Sequence, residues 1–183
     1  MDEGGRVRIA ICIITYQRPE GLARLLQSLD EMETPPDADV DVLVVDNDAE
    51  RAGLAVCDAF GRSTSLAIRC TVEPRRGIPF ARNLAVREAL DGGADLIVFV
   101  DDDEEVEPDW LTTLLMGMRE HQADVATGPA LSRLPDDAPR WLVRSGVFIH
   151  RRYPTGTERP LAYTNNVLVR RAVYEQFDPP FDE

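Results

Sequence analysis

The chain is 183 residues long, 44% of them hydrophobic, with 33 acidic residues against 20 basic ones and a formal net charge of −13. That length is one ordinary globular domain, its apolar content is enough for a core, and its acidity repels a phosphate backbone, so nucleic acid is excluded as a partner. No stretch approaches the roughly 20 consecutive apolar residues that span a bilayer, and Met1 to Arg6 hold no apolar signal core, so the sequence reads as soluble and cytoplasmic, without a transmembrane segment.

The first half repeats one unit: a short run rich in β-branched residues, a polar turn, then a segment of helical period. This is the pattern of βαβ units around a mainly parallel sheet, an α/β fold. Val7 to Ile14 is the first run; after Thr15-Tyr16-Gln17-Arg18 a helix begins near Pro19, a favoured first helical position, with Leu22, Leu25, Leu26 and Leu29 on one face. Val40 to Val45 is the second run, followed by Asp46-Asn47-Asp48 and a helix to about Phe60. Leu66 to Val72 is the third, with its turn at Glu73-Pro74-Arg75-Arg76-Gly77 and a helix over Ile78 to Leu90 that ends at Gly92-Gly93. Asp95 to Val100 is the most apolar run and is expected at the centre of the sheet. Beyond Asp101 the alternation breaks: an acidic turn, a helix from about Pro108 to His121, a short strand near Val125, an irregular stretch from Gly128 to Pro160, a strand over Tyr163 to Val169 and a short helix over Arg170 to Phe177. Cys12, Cys57 and Cys70 are odd in number with no metal-ligand spacing, and read as free thiols, Cys12 within an apolar run.

In open α/β sheets ligands bind beyond the carboxyl ends of the strands. Here those ends carry Thr15 and Tyr16, Asp46 and Asn47, Arg75 to Gly77, and Asp101 to Asp103. Polar turns are common, so any one of the four alone is also what an ordinary turn looks like. The acidic turn says more. Three consecutive aspartates after Leu96 to Val100 place like charges at the edge of a low-dielectric core, where each raises the others' pKa unless a cation is present. In extended backbone Asp101 and Asp103 point the same way, and carboxylate oxygens suit a hard octahedral ion such as magnesium, completed by water and substrate phosphates. Glu104, Glu105, Glu107 and Asp109 are read as solvated acids favouring the start of the next helix.

Five ordered blocks resemble the family 2 glycosyltransferases, inverting enzymes of the GT-A fold that use nucleotide-diphosphate sugars. They are Ile13 to Pro19, Val44 to Asn47, Arg76 to Asn83, Val98 to Asp103, and Thr164 to Arg171 with Phe181-Asp182-Glu183. The resemblance implies one GT-A domain over 1–183, with a nucleotide-sugar-binding half at 1–103 and an acceptor-side half at 104–183. It implies that Thr15, Tyr16, Arg18, Asp46, Asn47, Arg76, Gly77, Arg82, Asp101 and Asp102 line the nucleotide pocket, with Asp46 accepting from the base and an arginine fork meeting the diphosphate. Asp103, with Asp101, is the implied ligand pair for a divalent metal, Mg or Mn. Asn165 and Asn166 lie on the implied acceptor side. The family's presumed base follows the Phe-Asp-Glu segment in a Glu-Asp pair, and this sequence stops at Glu183; truncation, or substitution by Asp182 or Glu183, is the expectation.

The implied partners are a nucleotide-diphosphate sugar, a UDP-sugar by family prevalence, and a saccharide or lipid-linked acceptor. The stretch from Gly128 to Pro160 holds six arginines against three acids, a net +3 in a chain of −13. Those arginines suit an anionic acceptor or peripheral contact with the inner face of a membrane; the alternative is that they pair with the acidic body. Trp141, Phe148 and Tyr153 suit either sugar stacking or packing. Three other classes are weaker. A nucleotidyltransferase wants a glycine-rich loop where Thr15 to Pro19 has none, a receiver domain wants a lysine where the chain has none, and a sugar-binding module without catalysis would dispense with the base.

Overall fold

The structure, a computed structural model, describes residues 5–135, 137–148 and 152–182. Strands β1 (Val7–Thr15), β2 (Ala38–Asp46), β3 (Ala67–Val72) and β4 (Leu96–Asp101) alternate with helices α1 (Pro19–Asp30), α2 (Ala52–Phe60) and α3 (Ile78–Asp91). Then follow α4 (Trp110–Glu120), β5 (Val125–Thr127), α5 (Arg140–Arg144), β6 (Asn166–Arg170) and α6 (Arg171–Tyr174). The sheet runs β3-β2-β1-β4-β6-β5, with its first four strands parallel and β6 antiparallel to both β4 and β5. The expected α/β architecture is therefore present, as a mixed six-stranded sheet flanked by helices.

The sheet is buried on both faces because β1 alternates two kinds of apolar residue. Ile9, Ile11 and Ile13 face α1, α2 and α4, whose leucines fill one layer, while Ala10 and Cys12 face the small residues Ala81, Ala85 and Ala89 of α3. Small against small lets α3 lie close to the sheet, and burial pushes the Cys12 thiol up to about 12. The chain steps outward from β1 to β3 and then returns to the far side of β1 through α3, so the order reverses between β1 and β4. Parallel register aligns Thr15 with Asp46 and Ile14 with Asp101, so all these carboxyl ends share one edge at that reversal.

Several boundaries differ from the periodicity. β6 begins at Asn166 rather than Tyr163, because Thr164 and Asn165 turn into it. The helix read from Pro108 begins at Trp110, and the one read to Phe177 stops at Tyr174. A short helix, α5, lies within the stretch read as irregular; none of its residues is buried.

The start of α1 touches the acidic turn: a Cβ on Gly21 would lie 2.6 Å from the Asp102 carbonyl oxygen, whereas one on Gly117 in α4 would meet nothing within 4 Å. Alanine gains roughly 1 kcal/mol over glycine within a helix, but overpacking against backbone costs about 1–3 kcal/mol. Gly117→Ala should accordingly raise stability by about 0.5–1 kcal/mol and Gly21→Ala should lower it by about 1–2 kcal/mol, both read from urea denaturation.

Candidate functional site

At the reversal between β1 and β4 the three aspartates have three different surroundings. Asp102 is buried and points inward; Thr15 Oγ1 donates to its Oδ2 at 2.7 Å and an Arg18 guanidinium nitrogen to its Oδ1 at 3.2 Å. The same arginine nitrogen reaches the exposed Asp103 Oδ2 at 2.6 Å, and the two carboxylates hold the guanidinium charged, Asp102 more strongly than Asp103. Asp101 is half-buried: burial raises its pKa, and Arg82 opposes that rise. Burial likewise weakens the charge on Arg82 and Asp101 sustains it, so each ion offsets part of the other's desolvation.

The next wall is built on Asp46 and Asn47. Asp46 is fully buried at the end of β2; its Oδ2 accepts from the N–H of Gly53 at 2.7 Å and of Leu54 at 3.2 Å, and its Oδ1 from that of Asp48 at 3.1 Å. It thus caps the start of α2, and a side chain on Gly53 would strike both it and Thr15. Asn47 clamps the following loop: its Nδ2 donates to the carbonyls of Glu73 at 2.8 Å and Arg75 at 2.7 Å, and its Oδ1 accepts from Gly77 N–H at 2.8 Å. That loop presents Arg76, whose guanidinium lies 4.9 Å from the Tyr16 ring centre. Arg76 and Gly77 therefore stand beside Tyr16, as a cationic and aromatic rim next to the carboxylates.

On the other side, Arg82 lies over the Phe181 ring at 5.7 Å, and its buried Nε has no partner among the described residues. Asn83 exchanges two hydrogen bonds with the Phe181 backbone, each 2.9 Å. Phe181 also packs edge-on to Phe99, so the chain just before Asp182 is fixed over α3. Asp182 itself is exposed, and Glu183, the other candidate base, lies outside the described residues. Asn165 and Asn166 diverge. Asn165 donates to Glu104 Oε1 at 3.0 Å, while the buried Asn166 accepts from Trp110 Nε1 at 2.9 Å and donates to the Pro129 carbonyl at 3.3 Å.

The fold thus gathers Thr15, Tyr16, Arg18, Arg76, Gly77, Arg82 and Asp101 to Asp103 at one edge, with Asp46 and Asn47 as interior supports and Asn166 holding the β5–β6 junction. A cleft of about 500 Å³ lies elsewhere, between α3 and the 174–180 segment, and includes none of the three aspartates. Among the described residues no three His, Cys, Asp or Glu side chains converge as a ready-made metal cage. With Asp102 engaged inward, the set fits a hard cation that takes few protein oxygens, from Asp103 and Asp101, and completes its shell with phosphate and water.

Sequence reasoning read Glu104 as a solvated acid, and gave Asn83 and Glu73 no role of their own. Glu104 is half-buried, accepts from Asp101 N–H at 3.4 Å as well as from Asn165, and is pushed up to about 7, chiefly by burial. Its signal was present, since it directly follows the aspartates, but an acid before a helix has an ordinary explanation.

Asn47→Asp would set a carboxylate oxygen against two carbonyls, and should cost about 2–3 kcal/mol in denaturant unfolding. For Glu104 the folded pKa of about 7 exceeds the value of 4.5 it starts from, so between those pH values the folded state binds more protons than the unfolded one. Its contribution to stability is full below the lower value and declines as pH rises to the upper one. Glu104→Gln should flatten that part of the stability profile, measured by unfolding the metal-free protein across pH.

The sequence profile described as glycosyl transferase family 2 matches residues 10–177. The chain is 37% identical over 167 residues to the succinoglycan biosynthesis protein ExoM of Rhizobium meliloti (strain 1021), covering 90% of this chain and 52% of that protein. It is 28% identical over 144 residues to the glucosyl-dolichyl phosphate glucuronosyltransferase of Haloferax volcanii, covering 78% of this chain and 42% of that one. The chain spans about half the length of the curated relatives it matches. Among solved structures, the mannosyltransferase PcManGT from Pyrobaculum calidifontis, in complex with GDP-Man and Mn2+, aligns with a TM-score of 0.69 at 20% identity, over 93% of this chain and 46% of that one. TarS 1-349 of S. aureus in complex with UDP-GlcNAc aligns at 0.62 and 18%, over 93% and 47%. Those structures share the GT-A fold with this one, and the chain belongs to glycosyl transferase family 2.

Proposed function

We propose that this chain is the donor-binding part of an inverting, metal-dependent glycosyltransferase that moves a sugar from a nucleotide-diphosphate sugar to a saccharide or lipid-linked acceptor. The observation that carries the reading is the alternation of charge at the strand ends, where two guanidiniums, Arg18 and Arg82, flank three carboxylates beside the Tyr16–Arg76 stack. A nucleoside diphosphate has the complementary parts: a planar base for the aromatic rim and two phosphates for guanidinium and cation. The relatives support this assignment, since PcManGT is described with GDP-Man and Mn2+ and TarS with UDP-GlcNAc. A UDP-sugar is the proposed donor.

In this reading Tyr16 and Arg76 hold the base side, Arg82 directs its guanidinium charge at the diphosphate, and Arg18 keeps Asp102 and Asp103 in place. A magnesium or manganese ion held by Asp103 and Asp101 would neutralise the charge that develops on the departing nucleoside diphosphate. The acceptor enters beside Asn165 and Glu104, its hydroxyl attacks the anomeric carbon opposite the leaving group, and one displacement inverts that centre. The attacking hydroxyl must lose a proton. Asp182 is the carboxylate candidate for it among the described residues, next to the Phe181 backbone that Asn83 fixes. The acceptor is proposed to be a saccharide of the polysaccharide or lipid-linked kind that the names of the two relatives describe.

Calorimetric titration with UDP, GDP and dTDP, each with manganese and with chelator, should show one nucleotide, UDP, binding only when the metal is present. Asp103→Ala should abolish that metal-dependent component while leaving the unfolding curve within about 0.5 kcal/mol, because its carboxylate is exposed. Unchanged affinity in Asp103→Ala would overturn the site assignment.

A further inference from the structure

Among the described residues twelve large hydrophobic side chains are exposed, and eight of them fall between Leu131 and Tyr163. Trp141 is 70% exposed, Val147 75%, Leu161 64% and Tyr163 67%. Helix α5 buries none of its residues, so its Trp141 and Val143 lack the interior contact that normally holds so short a helix. Arg140 and Arg144 stand four apart, on one side of that helix, and with Arg152 they make no ion pair among the described residues. The stretch from Gly128 to Pro160 is +3, and the rest of the chain, by subtraction from −13, is −16.

We infer that the described residues between 131 and 163 dock the protein on an anionic lipid surface, with Trp141, Val147 and Leu161 entering the interface and Arg140, Arg144 and Arg152 meeting lipid phosphates. Two properties of the segment select that occupant. Its positive charge on an acidic chain requires a negative partner, and its exposed aromatic and aliphatic side chains require an apolar one. A second copy of the chain supplies negative charge but little apolar surface, because outside the segment the exposed large hydrophobics are the scattered Ile78, Met116, Val125 and Phe177. A bilayer rich in anionic headgroups supplies both. The acidic body does not cancel the attraction, since charges beyond about 8 Å are screened at physiological ionic strength. Arg133 ties the start of this segment to Glu105 at 2.9 Å, two residues after Asp103. That proximity would present a lipid-linked acceptor, a purpose that rests on the transfer reading above; the docking itself does not.

Sedimentation of the whole chain with vesicles tests it. Vesicles of equal parts phosphatidylcholine and phosphatidylglycerol should bind the protein at least about tenfold more tightly than phosphatidylcholine alone at physiological salt. The double variant Arg140→Gln/Arg144→Gln and the single variant Trp141→Ser should each weaken that binding by about tenfold or more. All three positions of change are exposed and outside the strand-end site, so thermal unfolding and nucleotide titration of the variants should match the parent. Equal binding to both vesicles, no binding, or arginine variants that bind like the parent would overturn the proposal. So would a concentration-dependent dimer in light scattering that Trp141→Ser dissolves, which would make the surface an interface between copies. Loss of nucleotide binding with vesicle binding intact would count against the transfer reading alone.

Discussion

Three consecutive carboxylates stand at the edge of an apolar core, and the neighbouring ends of β1 and α3 are arranged around them. Burial and the two neighbouring carboxylates push the Asp101 pKa up, and Arg82 opposes that rise. The chain answers with one neutral donor and two cations. Thr15 takes the inward face of Asp102, Arg18 bridges Asp102 and Asp103, and Arg82 stands near Asp101. The parallel register makes this possible, because Thr15 and Asp101 end adjacent strands at one level and no loop has to search for the other. The packing of Gly21 against the Asp102 carbonyl then fixes how closely Arg18, just before α1, approaches.

The rest of the rim depends on buried polar groups acting as supports. Asp46 spends its oxygens on three backbone N–H groups and so locks the entry to α2, while Asn47 uses both ends of its amide to shape the turn that carries Arg76 and Gly77. Glu73 adds a third support, accepting from the backbone and side chain of Arg75. Each such group is costly if unpaired and inexpensive if fully bonded, which makes the loop conformation nearly all-or-none. The side chains that face outward, Tyr16, Arg18 and Arg76, start from a fixed backbone and meet one another or the aspartates, Arg76 over Tyr16 and Arg18 on Asp102 and Asp103.

Much of this was legible in the sequence because it follows from period and position. The β-branched runs, the leucine stripe of α1 and the glycine stop of α3 announce the sheet and its helices, and the strand ends announce where polar side chains gather. The direction in which each polar side chain turns was not legible. Asp101, Asp102 and Asp103 are chemically identical as letters, yet their burial ranges from interior to exposed, a difference set by tertiary contact with Thr15 and Arg18. Asp46 illustrates the same limit: its residue type suits a ligand's N–H and a helix start equally, and Gly53, seven residues on, is what brings α2 to it. The late start of β6 was illegible for a related reason. Tyr163 and Thr164 suit a strand by residue type, but the pairing with β4 stops at Asn166 opposite Val100.

The second half of the chain is held by a different logic. Between β5 and β6 runs a connection far longer than the two to six residues usual in compact domains, and connections of that length are ordinarily functional. It has little core of its own, but it is pinned at both ends by consecutive acids of one turn: Glu105 receives Arg133 near its start, and Glu104 receives Asn165 near its close. Glu104 and Glu105, which by position alone look like helix-favouring solvated charges, are therefore anchors for the β5–β6 connection. Because Glu104 also accepts from the Asp101 backbone, a shift of that segment pulls on the same turn that holds the three carboxylates. The alternation along β6 sharpens the linkage, since Asn166 turns inward to Trp110 and Pro129 while its neighbour Asn165 reaches Glu104. The long connection can then vary in its middle while both of its ends stay in register with the site.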